Sequence, residues 1–524
     1  MKQPPNENES SQQRAELQHL TSYNPTIPTG GSVSDRVYNE NTEVPLSVED
    51  KSISPNPTST ITASDRDSKI ASFIAEELNG IYAISTEEAE VYRWDNYAGF
   101  WVQNGTKAQS LENIVFEQLK QHLGSEGFNT GKVSSVAGML QYTLKKMPQP
   151  NTSNIIFKNG ILEPVSGTFT PRLVKNLYAR YSTGVDYIET DGSADFCPVF
   201  IDYINFISGS DDPNTLQQRS ANRVRVLKAV LVMVLLRKYD WQLFVEVVGP
   251  GGTGKSTFAT MISLLVGLSS VKTIEAKDLE VPERRVDILN AALLYLPDME
   301  TYQGDGSGLK KITGGDPVSC RRLYGPSFSA HIRAIILAVN NSPMRFTDQG
   351  GAISRRRVLI HLGQIVPSNK QDPNFSSKLR KEVPAIIQYL NAWTQEIGGI
   401  AEVRKILIDA TNGEDARDIL IDSDPMTGFA KDLHYSDEAK CQVGGVPNAK
   451  QPSSPQRYLF HAYLRYCEFY NYETRITQRT FSSAFEVAAK RFGKVCRSKI
   501  NGKSIFKGVA IHTNTDSQPE WMQS

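Results

Sequence analysis

A glycine-rich segment, Gly-Pro-Gly-Gly-Thr-Gly-Lys-Ser-Thr from Gly249 to Thr257, constrains the fold of this chain more than any other feature. It fits the pattern G-x-x-x-x-G-K-[ST] and lies between the apolar run LFVEVV (243–248) and the helical sequence STFATMISLLVGL. Glycines at these positions allow backbone N–H groups to approach an anion, and a helix N-terminus adds a favourable partial charge. The segment therefore predicts a strand, a phosphate-binding loop and a helix, in that order.

The residues of this loop have separate expected roles in binding a nucleoside triphosphate. Lys255 reaches the β- and γ-phosphates, and Ser256 can ligate Mg²⁺. The rest of the loop lines the same phosphates: Gly249, Pro250, Gly251, Gly252, Thr253, Gly254 and Thr257. A chance glycine-rich turn is the alternative interpretation, and the strand before it and the helix after it argue against that. The predicted cofactors are ATP and Mg²⁺.

The overall charge excludes one class of nucleic-acid binding. The 524 residues include 57 basic and 57 acidic side chains, so the formal net charge is zero and no chain-wide positive field gathers DNA. Any contact with DNA must therefore be local. The five cysteines are widely spaced and form no CxxC pair, which favours a reducing cytoplasm and argues against structural zinc. The longest apolar run, 229–236, is far shorter than the ~20 residues of a membrane-spanning helix, so we expect no membrane contact.

Four short apolar runs alternate with helical patterns between residue 224 and about residue 365. They are LFVEVV (243–248), AALLYL (291–296), IRAIILAV (332–339) and RVLIHL (357–362). Continuous apolar strands that alternate with helices are typical of a parallel sheet covered on both faces. The predicted fold class is therefore α/β, with a P-loop ATPase core built on a parallel sheet.

The pattern along the whole chain predicts five regions. Residues 1–66 are polar and aperiodic, which is typical of a disordered tail. The others are a mainly helical domain at 67–223, the ATPase core at 224–370, a helical extension and linker at 371–452, and a winged-helix domain at 453–515. The last region has the order helix, helix and hairpin, with the hairpin turn at Asn501-Gly502.

Acidic and amide side chains follow the next two predicted strands. Asp298 and Glu300 come directly after AALLYL, and an acid at the C-terminal end of a parallel strand is placed to hold Mg²⁺ through water. We assign Asp298 to the metal and Glu300 to the attacking water; a solvated acidic turn is the alternative. IRAIILAV is followed by Asn340-Asn341-Ser-Pro, where Asn340 can sense the γ-phosphate, although the same residues are common in turns.

Positive charge is concentrated at two places in the predicted core. Arg355, Arg356 and Arg357 lead directly into a buried strand, which suggests an arginine finger that could act on a neighbouring subunit. Residues 309–328 contain the candidate DNA contacts Lys310, Lys311, Arg321, Arg322 and Tyr324. The sequence around Tyr-Gly-Pro is similar to a hairpin tip that could carry an aromatic ring to a base; a plain surface hairpin is the alternative.

A third basic segment lies near the C-terminal end. Between residues 490 and 507 there are seven cations, and no acid occurs from residue 487 through residue 515. They are Lys490, Arg491, Lys494, Arg497, Lys499, Lys503 and Lys507. Such a stripe on a helix and wing suits phosphate contacts on duplex DNA. A solvated face or a protein-docking surface is the alternative, because winged helices serve both purposes.

These elements, in this order, resemble the superfamily 3 helicases, in particular the helicase half of phage, plasmid and poxvirus-type primase-helicases. GPGGTGKST is similar to the phosphate loop of that family, and KKITGGDPVSCRRLY is similar to its extra motif between the acidic strand and the sensor. NNSP followed by RRRVLIHL resembles its sensor asparagine and arginine finger, and IIFKNGILEP resembles the start of its pre-helicase segment.

The resemblance implies an AAA+-like core, hexameric rings, ATP with Mg²⁺, and 3′ to 5′ movement along single-stranded DNA threaded through the pore. It places the sensor on Asn340 and the finger on Arg355 or Arg356. Family members that make primers carry a large catalytic domain ahead of the helicase, and the tail at 1–66 is too short for one. We therefore predict no primase activity in this chain, and a separate primase or polymerase is a candidate partner.

The expected function is ATP-dependent DNA unwinding in the replication of a virus, phage, plasmid or integrated element. A different class of function remains open, in which a non-translocating P-loop switch or loader uses ATP to assemble on an origin or a replication partner. Single-stranded DNA should stimulate hydrolysis in the first case and not in the second. A small-molecule kinase is disfavoured, because it leaves the basic hairpin and the winged helix without a role.

Overall fold

The computed structural model describes most of the chain from residue 60 onward. The described ranges are 60–86, 90–104, 107–125, 127–148, 154–164, 166–171, 175–209, 216–297, 303–304, 306–323, 325–346, 352–444, 454–470, 472, 476–512 and 518–523. Residues 1–59 of the predicted disordered tail lie outside these ranges. The end of that prediction is wrong, because residues 60–66 are described and Ile61 is buried in the same apolar cluster as Ile70. The first helix begins at Asp67.

The chain divides into two compact units. The first comprises Met1–Thr152 and Leu173–Tyr181, and the second comprises Ser153–Arg172 and Ser182–Ser524.

The first unit combines helices with a small sheet. Its elements are α1 (Asp67–Glu77), β1 (Tyr82–Ser85), β2 (Val91–Asp95), β3 (Phe100–Gln103), α2 (Lys107–Leu123), α3 (Thr130–Thr143) and β4 (Lys146–Met147). The strand order is β3-β2-β1-β4, and Ile70, Ile74 and Val115 are fully buried in one apolar cluster. The domain predicted as mainly helical therefore also contains a four-stranded sheet, which includes the antiparallel pair β2–β3.

The second unit contains the remaining elements. Its helices are α4 (Pro198–Ile207), α5 (Leu216–Leu235), α6 (Lys255–Val266), α7 (Pro282–Arg285), α8 (Ser307–Gly314), α9 (Phe375–Glu396), α10 (Ile400–Ala410), α11 (Glu414–Ser423), α12 (Pro425–Lys431), α13 (Leu459–Phe469), α14 (Gln478–Ala489) and α15 (Glu520–Gln523). Its strands are β5 (Ile155–Phe157), β6 (Gly160–Leu162), β7 (Phe169–Thr170), β8 (Phe244–Val248), β9 (Val271–Thr273), β10 (Leu293–Pro297), β11 (Gln303–Gly304), β12 (Val318–Arg321), β13 (Ser327–Ala330), β14 (Ile335–Asn340), β15 (Arg345–Phe346), β16 (Arg357–His361), β17 (Lys440–Gln442), β18 (Cys496–Ile500) and β19 (Lys503–Lys507).

A five-stranded parallel sheet forms the centre of the second unit. Its order is β16-β8-β14-β10-β9, and every neighbouring pair is parallel. All five residues of β8 and all six of β14 are buried, as expected for strands with helices on both faces. The parallel α/β sheet predicted from the four apolar runs is confirmed. The fifth strand, β9, was not predicted, because it has three residues and only Val271 among them is buried.

The C-terminal part of the second unit has two helices and a hairpin in the predicted order. Helices α13 and α14 precede the antiparallel strands β18 and β19, and Asn501 and Gly502 adopt positive φ angles of 48° and 74° in the turn between them. The segment interpreted as a linker near 410–452 contributes more than expected. Its helix α12 and strand β17 place Phe429 and Cys441 in the same buried cluster as Phe481 of α14.

Among the described residues, no helix has both the length and the apolar character needed to cross a membrane.

Candidate nucleotide-binding site and the basic segments beside it

The glycine-rich loop connects the central strand β8 to helix α6, which begins at Lys255. At Gly249 a Cβ atom would lie 2.0 Å from the carbonyl oxygen of Leu362, so only glycine fits where the loop passes the chain after β16. The N–H of Val366 donates to the carbonyl oxygen of Gly252 at 2.9 Å. The residues after β16 therefore fix the path of the loop.

Helix α4 also contacts the loop. The hydroxyl of Tyr203 donates to the carbonyl oxygen of Gly254 at 2.8 Å, and burial raises the pKa of this phenol well above its usual range. The hydroxyl therefore stays protonated and keeps donating. Thr253 donates to the carbonyl oxygen of Pro250 at 3.0 Å, which closes the loop on itself. The loop is thus held by the chain after β16, by Tyr203 of α4 and by the hydroxyl of its own Thr253.

Lys255 lies inside this loop, with 7% of its surface exposed. Its ammonium group donates to the carbonyl oxygens of Gly249 and Pro250, both at 2.7 Å, and to Oδ1 of Asn341 at 3.1 Å. All three acceptors are neutral oxygens. An anionic oxygen brought to the loop would offer the ammonium a stronger, charge-assisted bond in the same place.

The two asparagines after the third predicted strand point to opposite sides of the sheet. Asn340 is the last residue of β14, and its Nδ2 donates to Oε1 of Glu246 at 2.9 Å. The next residue, Asn341, reaches Lys255 instead. Successive side chains of a strand alternate between faces, so only one of two adjacent residues can approach the loop. The structure places the predicted sensor, Asn340, beside Glu246 and its neighbour beside the phosphate loop.

Glu246 is the centre of a buried polar network. It lies in the middle of β8 with no exposed surface, and Oε1 also accepts the N–H of Met344 at 2.8 Å. Arg357, 4% exposed, approaches Oε2 with Nε at 2.7 Å and Nη2 at 2.6 Å. Arg357 also donates to the carbonyl oxygen of Met344 at 3.1 Å. One carboxylate therefore joins three adjacent strands, β14, β8 and β16.

The three consecutive arginines consequently differ in their surroundings. Arg357 is the first residue of β16 and is held by Glu246. Arg355 and Arg356 belong to a 3-10 helix, Ser354–Arg356, where Arg355 is exposed and Arg356 is half-buried. The buried side chain of Ile353 anchors the start of this turn. Arg357 is thus occupied within its own subunit, and the two candidate finger residues precede it on the surface.

The two acids assigned to the metal and the attacking water, Asp298 and Glu300, lie outside the described residues. Their strand, β10, ends at Pro297 on the same edge of the sheet as β8. It is separated from β8 by β14, which pairs with both. The strand β14, which ends at Asn340, is therefore the direct neighbour of β8, which leads into the glycine-rich loop, and β10 is one position further away.

The basic segment at 309–328 forms a helix followed by a hairpin. Lys310 and Lys311 belong to α8, whereas Arg321 ends β12 in the antiparallel pair β12–β13. Arg321 is exposed and lies 3.8 Å from Glu283, and the guanidinium of Arg322 lies 4.7 Å from the ring centre of Phe328. The DNA contacts predicted as one group thus divide between two elements.

The hairpin tip carries an exposed apolar residue. Tyr324, the predicted tip contact, lies outside the described residues. Its neighbour Leu323 has 76% of its surface exposed, and the N–H of Gly325 donates to the carbonyl oxygen of Arg322 at 2.9 Å to close the turn. Cys320 of β12 is fully buried in an apolar cluster, and this burial raises the pKa of its thiol.

Two protein-family models match parts of the second unit. Residues 247–357, from the phosphate loop to Arg357, match a family of unknown function, DUF5906. Residues 421–504, which include α12, α13, α14 and β18, match the family described as poxvirus D5 protein-like. The poxvirus part of the expected resemblance is therefore confirmed for the C-terminal region. This match begins at residue 421, close to where the buried C-terminal cluster begins.

Similarity to individual proteins is weaker. An uncharacterized mitochondrial protein, ymf21, from Marchantia polymorpha is 29% identical over 121 residues, which is 22% of this chain. The aligned segment spans 62% of that relative's length. Two solved apo structures of the NrS-1 C-terminal region cover 84% of this chain and 98% and 100% of theirs, at 11% and 12% identity and TM-scores of 0.42 and 0.45.

Two residues of this region, Glu246 and Asn341, were missed in the sequence. Glu246 stands inside the apolar run LFVEVV, and a carboxylate in a strand buried on both faces requires a partner. That requirement points to the arginine at the start of another strand. Asn341 could have been weighed equally with Asn340, because a strand's period of two sends adjacent residues to opposite faces.

We predict that Glu246→Gln lowers the free energy of unfolding by about 3–5 kcal/mol, because it leaves the buried Arg357 without its counter-charge. Replacing both residues, as Glu246→Gln with Arg357→Met, should cost less than the sum of the two single changes, with a coupling of about 1–3 kcal/mol. Denaturant unfolding of the four proteins measures this coupling.

Glu402→Gln is the matched control, since Glu402 forms an ion pair with Lys405 near the surface at 3.4 Å. This change should cost less than about 1 kcal/mol. Additive effects of the two substitutions at Glu246 and Arg357 would contradict the proposed network.

Proposed function

We propose that this chain hydrolyses ATP in its second unit and uses the energy to move along and unwind DNA, as a superfamily 3 type helicase in the replication of a virus, phage, plasmid or integrated element. The observation that carries the proposal is Lys255, which begins a helix and lies inside a glycine-rich loop at the edge of a parallel sheet. Ligands of open α/β sheets bind at this edge, and helix N-termini favour phosphate.

The side chains around the loop divide the chemistry of phosphoryl transfer. Lys255 neutralises the charge of the β- and γ-phosphates, and Asn341 orients its ammonium group from the neighbouring strand. The hydroxyl of Ser256, in the first turn of α6, offers one oxygen to Mg²⁺, which takes few protein ligands. Asp298 supplies a second oxygen through water, and Glu300 positions the attacking water.

The action on DNA rests on two further observations. The match of residues 421–504 to the poxvirus D5-like family supports a role in DNA replication. The hairpin β12–β13 offers Arg321 and Arg322 beside an exposed tip, which suits a strand of DNA passing through a ring of identical subunits. A ring also gives Arg355 or Arg356 a nucleotide on the adjacent subunit to act upon.

We predict that purified protein hydrolyses ATP faster when single-stranded DNA is added, and that Lys255→Ala lowers both rates at least about 100-fold, since no other described side chain replaces its charge in the loop. Phosphate release measures both effects. Lys277→Ala is the matched control, because Lys277 is exposed and forms an ion pair with Glu275 at 2.6 Å.

The pattern of outcomes separates the candidate functions. Hydrolysis that requires Lys255 but does not respond to single-stranded DNA would favour a non-translocating switch or loader. Turnover that survives Lys255→Ala in folded protein would remove this loop from the catalytic site.

We predict opposite consequences for the two asparagines. Asn341→Ala should leave the free energy of unfolding within about 0.5 kcal/mol and lower hydrolysis about tenfold or more, because it removes the amide that holds Lys255. Asn340→Ala should lower the free energy of unfolding by about 1–3 kcal/mol, because it removes a buried donor to Glu246. The sensor role would instead belong to Asn340 under a different pair of outcomes. In that case Asn340→Ala loses hydrolysis at an unchanged free energy of unfolding, and Asn341→Ala leaves hydrolysis unchanged.

The active site in this proposal is shared between subunits. Lys255 acts on the nucleotide of its own subunit, and Arg356 acts on that of the neighbour. Each single substitution therefore inactivates every site of a uniform ring. In a mixed ring some interfaces combine an intact loop with an intact arginine.

We predict that mixing Lys255→Ala and Arg356→Ala proteins restores ATP hydrolysis. Random assembly at equal amounts makes about a quarter of the interfaces complete, and an arginine finger is worth about 10³ or more in rate, so the recovery is measurable. Gel filtration must show that the two variants share one assembly. If co-assembled rings stay inactive for Arg356→Ala, and also for Arg355→Ala tested in the same way, the composite site is wrong.

A further inference from the structure

We propose that the outer face of the C-terminal sheet binds the phosphate backbone of duplex DNA. This surface, the lysine face, consists of Lys440 on β17 and Lys503 and Lys507 on β19. The proposed function does not assign it, and its chemistry is independent of ATP hydrolysis. It also lies apart from helix α14, on which duplex contacts of a winged helix would be expected.

The strand register puts the three lysines on one side of the sheet. The order is β17-β19-β18, and Lys440 is directly opposite Lys507. Lys503 lies four residues from Lys507 on the same strand and therefore faces the same way. The other side of the sheet carries Cys441 and Phe506, which are paired with each other and buried in the C-terminal cluster. The lysine face therefore points away from the hydrophobic core, and all three lysines are exposed.

The lysine face has no acidic partner among the described residues. Within the part of the chain that the structure describes, no acidic side chain lies at salt-bridge distance from Lys440, Lys503 or Lys507. Like charges directly opposite each other on adjacent strands destabilise a sheet, so the Lys440 and Lys507 pair works against folding. A polyanion that lies across both strands would be attracted to both ammonium groups and would screen the repulsion between them.

The other cations of the same region have different surroundings. On α14, Glu486 lies 2.8 Å from Lys490 and 4.0 Å from Arg497, and this one carboxylate serves both. Arg491 is half-buried, and desolvation lowers the pKa of its guanidinium. The seven-residue basic stripe therefore does not form a single surface. The lysines of the stripe without an acidic partner include Lys503 and Lys507 on the sheet. Lys440 lies next to them, although its strand β17 is outside the stripe.

The composition of the face favours nucleic acid over protein. Protein interfaces are depleted of lysine and enriched in aromatic residues at their centres, and the lysine face has the reverse composition. The only strongly exposed apolar side chain among the described residues of these three strands is Ile500, at 44%, near the hairpin turn. By the register, Ile505 lies between Lys503 and Lys507 on the same side of the sheet and is 8% exposed, so the accessible groups at the centre of the face are the lysines, which suit phosphate contacts.

The same composition favours duplex over single-stranded DNA. Proteins that bind single strands stack bases on aromatic side chains, and the described aromatic residue of this sheet, Phe506, is buried on the opposite face. Lys503 and Lys507 are separated by four residues of extended strand, about 13 Å, which is close to the ~12 Å width of the major groove. Lysines fixed at such a spacing can contact phosphates on both sides of a groove.

The test is the salt dependence of duplex binding by the full chain without nucleotide. A fluorescein-labelled 24-base-pair duplex is titrated by anisotropy over a series of salt concentrations, with wild type and with Lys440→Gln, Lys503→Gln and Lys507→Gln combined. Each lost phosphate contact should reduce the log–log slope by about 0.9, so the triple variant should lose about 2.7. Its melting temperature should be unchanged or higher, because the repulsion within the sheet is relieved.

The matched control removes the same charge from lysines that already have acidic partners. Lys277→Gln, Lys378→Gln and Lys405→Gln combined replace lysines paired with Glu275, Asp372 and Glu402. The log–log slope of this control should fall by no more than about one-third of the fall seen in the sheet variant. A complementary variant, Asp437→Asn with Glu438→Gln, removes two exposed acids just before β17 and should tighten duplex binding.

Several results would overturn the proposal. One is a triple variant with the wild-type slope, and another is an equal loss in the control. A third is unchanged duplex binding combined with lost binding of poly-L-glutamate, which would assign the face to an acidic protein. Lys255→Ala should bind duplex like wild type. Hydrolysis that survives in folded Lys255→Ala would therefore contradict the proposed function alone, and a wild-type slope in the triple variant would contradict this proposal alone.

Discussion

The buried ion pair between Glu246 and Arg357 is the constraint on which the geometry of the candidate site depends. A carboxylate without exposed surface in the middle of a parallel sheet is strongly unfavourable unless it is paired and hydrogen-bonded. Glu246 accepts from Asn340, Met344 and Arg357, so both of its oxygens are occupied. Because these donors come from the strands on either side of β8, the carboxylate fixes the relative position of three strands that lead into the site.

This arrangement gives β16 two roles. At the start of the strand, Arg357 binds Glu246, and Arg355 and Arg356 lie in the short turn that directly precedes it. Beyond the strand, the chain packs against Gly249 and bonds to Gly252 in the phosphate loop. One strand therefore supports both the glycine-rich loop proposed to hold a nucleotide and the arginines proposed to reach a neighbouring subunit. A shift of β16 would change both together.

Local patterns predicted the parts of this molecule that depend on local physics. Four apolar runs were sufficient to predict a parallel sheet, because strands buried on both faces need continuous apolar sequence. The strand β9 was missed, since two of its three residues are exposed and the pattern is too short to recognise. The distinction between Asn340 and Asn341 needed the register of β14 against β8, and the partner of Arg357 needed the strand order. Register and strand order both depend on residues far apart in sequence, so a short segment of sequence does not contain them.

The zero net charge of the chain does not show where positive charge lacks an acidic partner, and the structure supplies that information. Equal numbers of acids and bases imply that any field acting on DNA arises from local imbalance. Proximity in sequence does not locate that imbalance, because Glu486 is bound by two of the seven cations in the C-terminal stripe and Arg491 is half-buried. Strand pairing instead brings Lys440, more than sixty residues away in sequence, next to Lys507. The proposed phosphate contacts would offset the repulsion between these two lysines, which is why the lysine face, and not the stripe as a whole, is the surface that we assign to DNA.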